Sequence, residues 1–185
     1  MIRKATNADL DAVEKIYDEV RNAEESGEIS VGWIRTIYPT RKTAEDSLKR
    51  GDLFVLEDGY VLGAGIINQI QVDSYHKGIW EYETEDKEIC VLHTLVISSR
   101  ARGKGYGKQF VRFYEKYALE LGCHELRLDT NERNSRAREM YRKLGYKEIG
   151  IVPTVFNGIP NVNLVLLEKK ITNRSLWRKY GQETS

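Results

Sequence analysis

The sequence predicts a single mixed α/β domain, an antiparallel meander of strands followed by a strand–helix–strand crossover. Three observations predict it. Apolar residues alternate in some segments and recur at helical spacing in others. Those segments follow the order β, α, α, β, β, β, α, β, α, β, β, which suits helices packed on one mixed sheet. No repeat and no linker rich in Pro, Gly or Ser divides the 185 residues, a length that fits one domain. The domain is expected over residues 1–170, with a polar tail or short helix over 171–185 that carries Leu176, Trp177 and Tyr180.

Each element has its own signal. Residues 2–5, IRKA, read as a short first strand, and Thr6 with Asp9 three residues on forms a variant capping box. Leu10, Val13, Ile16, Tyr17 and Val20 then mark one face of a helix. EESGEISVGWIRTIYPT breaks the pattern and reads as a loop. Thr40 caps a second helix that Gly51 ends. LFVLEDGYVLGAGIINQI is a hairpin with Asp58-Gly59 at its turn. EICVLHTLVIS is expected to be buried on both faces, with His93 and Leu95 sharing one of them. Phe110, Tyr114, Tyr117 and Leu121 mark a third helix. ELRLDT is a strand. Asn134 caps a fourth helix whose apolar face is Ala137, Met140, Tyr141 and Leu144. YKEIGIV and NVNLVLLEKK close the sheet, with VPTVFNGIPN as the loop before the last strand.

Composition narrows the function. With 41% hydrophobic and 31% charged residues, the chain has enough apolar mass for a core. A net charge of +1 argues against a general nucleic-acid binder. Cys90 and Cys123 have neither metal-ligand spacing nor a disulfide pattern, so no metal site is expected and both are read as reduced thiols. MIRKATNADL has no apolar core segment and no run approaches a membrane span, which makes a soluble cytoplasmic protein the expectation.

The chemistry is concentrated at SSRARGKGYGKQF, between a strong strand and a strong helix. The first N–H groups of a helix lack internal partners and sit at the positive end of its dipole, so they can hold a phosphate. Gly103, Gly105 and Gly107 open the backbone there, and Arg102, Lys104 and Lys108 add charge. A P-loop is excluded because Gln109 follows Lys108, and the third glycine comes one residue too early for a dinucleotide site.

LVISSRARGKGYGKQFV resembles the acyl-CoA-binding motif of the GNAT superfamily of N-acetyltransferases, Arg/Gln-x-x-Gly-x-Gly/Ala after a strand, with Arg102, Gly105 and Gly107 in the defining places. NERNSRAREMYRKLGY resembles the next motif through Asn134, Ala137, Tyr141, Gly145 and Tyr146. Ser99 departs from the proline of many members. The resemblance implies a central splayed sheet of about seven strands with about four helices. It also implies transfer of an acetyl group from acetyl-CoA to a primary amine, by direct attack through a tetrahedral intermediate. The pyrophosphate would lie on the N–H groups of residues 103–108, Tyr106 included. The pantetheine arm would run along Leu95, Val96 and Ile97, with Leu95 N–H facing the thioester carbonyl and Asn134 on the far side of the arm. Tyr141 would be the acid that protonates the CoA thiolate, as a phenol of ordinary pKa about 10 can. A homodimer is a further implied assembly state, with the tail at Trp177 as a candidate contact.

The base that frees the amine is open between several groups. His93 is the one histidine of an apolar strand and can accept a proton at neutral pH; it reads equally as a core histidine. Glu81 and Glu83 are alternatives, and Glu88 is out of phase with Leu95. For the acceptor, Trp33, Tyr38, Trp80 and Tyr82 beside Glu28, Glu81 and Glu83 suit a cationic amine of a small molecule, amino acid or peptide, or else pack as a lid. The alternative class is a GNAT-fold acyl-CoA sensor without turnover.

Overall fold

A computed structural model describes residues 1–172; the expected tail helix with Leu176, Trp177 and Tyr180 lies outside them. The elements run β1 (Ile2–Lys4), α1 (Leu10–Glu25), α2 (Arg41–Arg50), β2 (Leu53–Asp58), β3 (Tyr60–Asn68), β4 (Ile89–Ile97), α3 (Tyr106–Glu120), β5 (Glu125–Asn131), α4 (Ser135–Lys143), β6 (Lys147–Phe156) and β7 (Ile159–Lys170). The described residues hold a seven-stranded sheet in the order β1-β2-β3-β4-β5-β7-β6. Its pairs are antiparallel except β4 with β5.

Period-2 alternation sends side chains of one strand to two cores. Leu53 and Val55 face α1 and α2 together with Val13, Ile16 and Tyr17. Phe54 and Leu56 face α3 and α4 together with Phe110, Tyr114 and Leu144. A third cluster joins Tyr75 of the β3–β4 crossover to Val91, Val152 and Leu166. The Thr6–Asp9 capping box forms before α1. Arg3 completes it with two bonds to the Asp9 carboxylate, at 2.8 and 2.9 Å. Leu121 lies beyond the end of α3 and is exposed, so Phe110 and Tyr114 carry that helix's buried face.

Two departures from expectation shape the site. VPTVFNGIPN is hairpin rather than loop. β6 runs on through Pro153 to Phe156, and Asn157 (φ 48°) with Gly158 (φ 87°) makes the turn. Two consecutive positive φ angles are what a two-residue hairpin turn with the right twist requires, and β6 tolerates Pro153 because it is the edge strand. The second departure lies in β4. Ala64 pairs with Val96 but Ile66 pairs with His93, so β4 carries one residue more than β3 there. The extra residue is a bulge at Thr94, whose φ is 50°. A bulge resets side-chain alternation, and His93 and Leu95 therefore do not share a face as strict alternation would have it.

α3, which carries the glycine junction at its start, is seated through Phe110. A Cβ on Gly65 of β3 would sit 2.7 Å from Phe110 Cε1 and 2.9 Å from Cζ. Gly65→Ala is accordingly expected to cost about 1–3 kcal/mol in urea unfolding through overpacking. An unchanged unfolding midpoint would show that Phe110 moves aside freely.

Candidate active site

The site begins where pairing stops. β5 pairs with β4 from Ile89–Glu125 only as far as Leu92–Leu128. Beyond that point the two strands part, and β4 from Thr94 to Ile97 lines one wall of a cavity of ≈ 610 Å³. Asp129, Thr130 and Asn131 of β5 line the facing wall. The cavity runs to the start of α3, to the α4 cap Asn134, and to Met140 and Tyr141 of α4. A second cavity of ≈ 470 Å³ opens on the other side, between α2, β4 and the β6–β7 turn. The two share Tyr38, Leu92, Thr94, Asp129 and Phe156 as walls.

At the wide end of the first cavity, Gly103 (φ 79°) and Gly105 (φ 83°) adopt left-handed backbone before α3, a conformation that costs residues with side chains. A Cβ on either would meet open space within 4 Å, so the backbone there is accessible to a ligand. Gly107 serves differently: its Cβ would stand 3.2 Å from Met140 Sδ, which lets α3 and α4 approach. Glu19 of α1 fixes the loop's entry, its Oε2 accepting from Ser98 Oγ and Ser99 N at 2.8 Å each. Arg102, Tyr106 and Lys108 line the cavity, and Arg136 and Lys143 of α4 add positive charge. Lys104 is exposed and does not line it. Arg102 ion-pairs with Glu28, which places Glu28 at this mouth and not beside an acceptor.

Asn134 both caps α4 and lines the cavity. Its Oδ1 accepts from Ala137 N at 3.2 Å and caps α4, which leaves its amide N–H groups for the cavity. Tyr141 is buried in the same wall. Burial and the nearby Asp129 charge both push its phenol above the usual range, so it keeps its proton.

His93 lines the second cavity only. Its Nε2 donates to Asn68 Oδ1 at 3.0 Å, and Asn68 Nδ2 donates in turn to Asp52. Burial pushes its pKa down to about 4, so the ring is neutral at pH 7 and a weak base. Glu81 and Tyr82 line neither cavity. Glu81 bonds Lys147 and its backbone N–H binds Glu168, while Tyr82 lies beneath the Lys170 ammonium. Trp80 packs on Tyr75 and Arg127. Trp33 lines the first cavity, edge-on to Tyr38, and Tyr38 reaches both cavities with its hydroxyl bonded to Thr94 Oγ1.

Sequence reasoning missed Asp129. It stands at the junction of the two cavities and accepts from Tyr75 Oη at 2.9 Å. Burial raises its pKa to about 6, against the lowering effect of that hydrogen bond. Its sequence signal is slight: it is one of three charged residues, Glu125, Arg127 and Asp129, that alternate with Leu126 and Leu128 along the strand.

The model of the acetyltransferase (GNAT) family matches residues 13–146. The chain belongs to the GNAT acetyltransferase family. Among its relatives, the uncharacterized N-acetyltransferase YycN of Bacillus subtilis is 23% identical over 134 residues, 62% of this chain and 85% of that one. A GNAT-family acetyltransferase from Streptococcus agalactiae shares the fold with a TM-score of 0.75 at 24% identity, over 94% of this chain and 96% of that one. YncA of Salmonella typhimurium, solved with its cofactor acetyl-CoA, superposes with a TM-score of 0.68 at 14% identity over 94% of each chain. No described helix of this GNAT acetyltransferase is long and apolar enough to cross a membrane.

The raised Asp129 pKa carries a stability sign. The folded state holds that proton up to about pH 6, whereas an unfolded aspartic acid loses it near pH 4. Stability contributed there is present at low pH and lost as pH rises through 6. Asp129→Asn is therefore expected to raise unfolding free energy at pH 7.5 by on the order of 2 kcal/mol, with no gain below pH 4. Urea titrations at the two pH values check this; equal effects at both would mean the carboxyl is not strained by burial.

Proposed function

We propose that this GNAT acetyltransferase transfers the acetyl group of acetyl-CoA to a primary amine of a small molecule, amino acid or peptide. The observation that carries the reading is the meeting of two cavities at one acid. A cleft with a phosphate-accepting backbone enters from one side and a separate chamber from the other, and Thr94 and Asp129 line both. The first cavity fits an extended thioester with a phosphate-bearing end: it has an open left-handed loop at a helix start and cations around it.

Arg102, Lys108 and the N–H groups of residues 103–108 would hold the pyrophosphate. Leu95, Val96 and Ile97 would flank the pantetheine arm, with Asn134 donating from across the cleft. Acetyl-CoA supplies the acyl group as an activated thioester. The chain supplies the rest. Leu95 N–H would meet the negative charge that develops on the thioester oxygen, where a fixed donor in a dry site is worth most. Asp129 would accept the proton of the incoming ammonium; a carboxylate with a pKa of about 6 is mostly ionised at pH 7 and still basic enough to share that proton. Tyr141, which keeps its proton until then, would give it to the departing sulfur. Tyr38, whose pKa burial raises to about 12 despite its bond to Thr94, stays neutral in the wall between the cavities. His93 sits in the acceptor chamber as a neutral polar group.

Thermal stabilisation by acetyl-CoA, followed by free-thiol release across a panel of primary amines, tests the activity. Both are expected. Stabilisation with no release on any amine would favour a sensor, and no stabilisation would remove the cofactor assignment. Tyr141→Phe is expected to lower kcat by about 10²–10⁴ while acetyl-CoA binding is kept. A wild-type rate in that variant would exclude Tyr141 as the acid.

A further inference from the structure

The crossover between β3 and β4, residues 69–88, is far longer than joining two adjacent antiparallel strands requires. Its centre is built inward. Tyr75, in a short 3-10 turn over Asp73–Lys77, is 1% exposed, and its hydroxyl donates to Asp129 Oδ2 at 2.9 Å. Among the described residues this is the one hydrogen bond the Asp129 carboxylate accepts.

A stack of contacts holds Tyr75 there. Trp80 Nε1 donates to Tyr75 O at 2.9 Å, and the two rings lie 5.3 Å apart. The Arg127 guanidinium sits 4.0 Å from the Trp80 ring centroid. Arg127 is locked in turn by Glu125 Oε1 at 2.5 Å and Gln71 Oε1 at 2.7 Å. Glu168 ties down the next turn by accepting Glu81 N at 2.9 Å. Gly78 lets the chain pass close to β7, since a Cβ would come 2.8 Å from Leu166 Cδ1. Burying ionic groups is costly unless they are well paired, and here that cost is spent on a support whose tip is a single hydroxyl.

We propose that Tyr75 is a positioning residue, held by the β3–β4 crossover so that it fixes one oxygen of Asp129 and leaves the other turned to the acceptor amine. The inference rests on Asp129 as the base. Hydrogen bonding to the charged form favours it, so Tyr75 opposes the burial that raises the Asp129 pKa. The other groups around that carboxyl are neutral near pH 7: Tyr141 from α4, Tyr38 from the segment before α2, and His93 from β4. The charged groups of the acceptor cavity, Lys42, Asp46 and Arg50, are in ion pairs, Arg50 with Asp52. Arg127, two positions back on β5, is paired with Glu125, so burial is the larger influence on where Asp129 ionises and the hydroxyl is what opposes it.

The test is the pH profile of kcat/KM for an amine found by the thiol-release panel, measured on the full chain with acetyl-CoA. Tyr75→Phe keeps the ring on Trp80 and removes only the hydroxyl. Its acid limb is expected to move upward by about one pH unit, a tenfold loss well below the limb, from the loss of one charge-assisted hydrogen bond. Acetyl-CoA affinity is expected to stay as in wild type. Trp80→Phe, which removes the N–H that anchors Tyr75, is expected to move the limb the same way by less. A uniform fall in rate with the limb unmoved in both variants would reduce Tyr75 to a packing residue and overturn the proposal. Asp129→Asn separates the two layers. If that variant loses the limb while Tyr75→Phe leaves it in place, the base stands and the positioning role fails. If Asp129→Asn keeps the limb, the base assignment and the positioning role fall together.

Discussion

The parallel ladder between β4 and β5 ends at Leu92 and Leu128, and the site exists because it ends there. Continued pairing would close the sheet and leave no cleft. Backbone polar groups away from water need partners, so strands that part inside a domain leave an edge suited to an extended ligand. The Thr94 bulge works with the break. A β-branched residue at φ 50° is held against its preference, and the bond between Tyr38 and Thr94 Oγ1 pins it from the acceptor side. The extra residue turns His93 and Leu95 to different cavities, which divides one strand between two chambers.

Charge is sorted along that opening. The α3 end gathers Arg102, Lys108, Arg136 and Lys143 around exposed backbone, suited to phosphates. Of the five residues that line both chambers, Tyr38, Leu92, Thr94, Asp129 and Phe156, Asp129 is the one carboxylic acid. Two titratable groups thus stand on the same stretch of wall, both shifted upward from different ordinary ranges. Burial makes the acid at position 129 hold its proton more tightly than usual, and the same burial with that acid's charge keeps Tyr141 protonated. Pushing two titratable groups to different ranges by their surroundings is how one site can take up a proton and deliver another.

Much of this was legible in the residues. Strand and helix periodicity gave seven strands and four helices in order, and the capping signals at Thr6, Thr40 and Asn134 sit where helices begin. The glycine junction was legible because backbone demands leave a mark in residue type. Local rules failed where distant segments meet. Strict alternation paired His93 with Leu95 because a bulge has no signature in one strand read alone. The Asn157-Gly158 dipeptide was a readable hairpin signal inside a segment read whole as loop. Glu81 and Tyr82 looked like acceptor ligands, yet they anchor a crossover on β7 and β6. Asp129 was hidden as the last of three alternating charged positions in β5, since its meaning comes from Tyr75, fifty-four positions away.

Everything proposed for this site requires the gap between β4 and β5 to receive acetyl-CoA lengthwise. Amide hydrogen exchange with and without acetyl-CoA measures this residue by residue. Slowed exchange is predicted at two separate segments at once, Thr94–Ile97 of β4 and residues 103–108 before and within α3. Protection confined to the glycine loop, or absent from both segments, would contradict it.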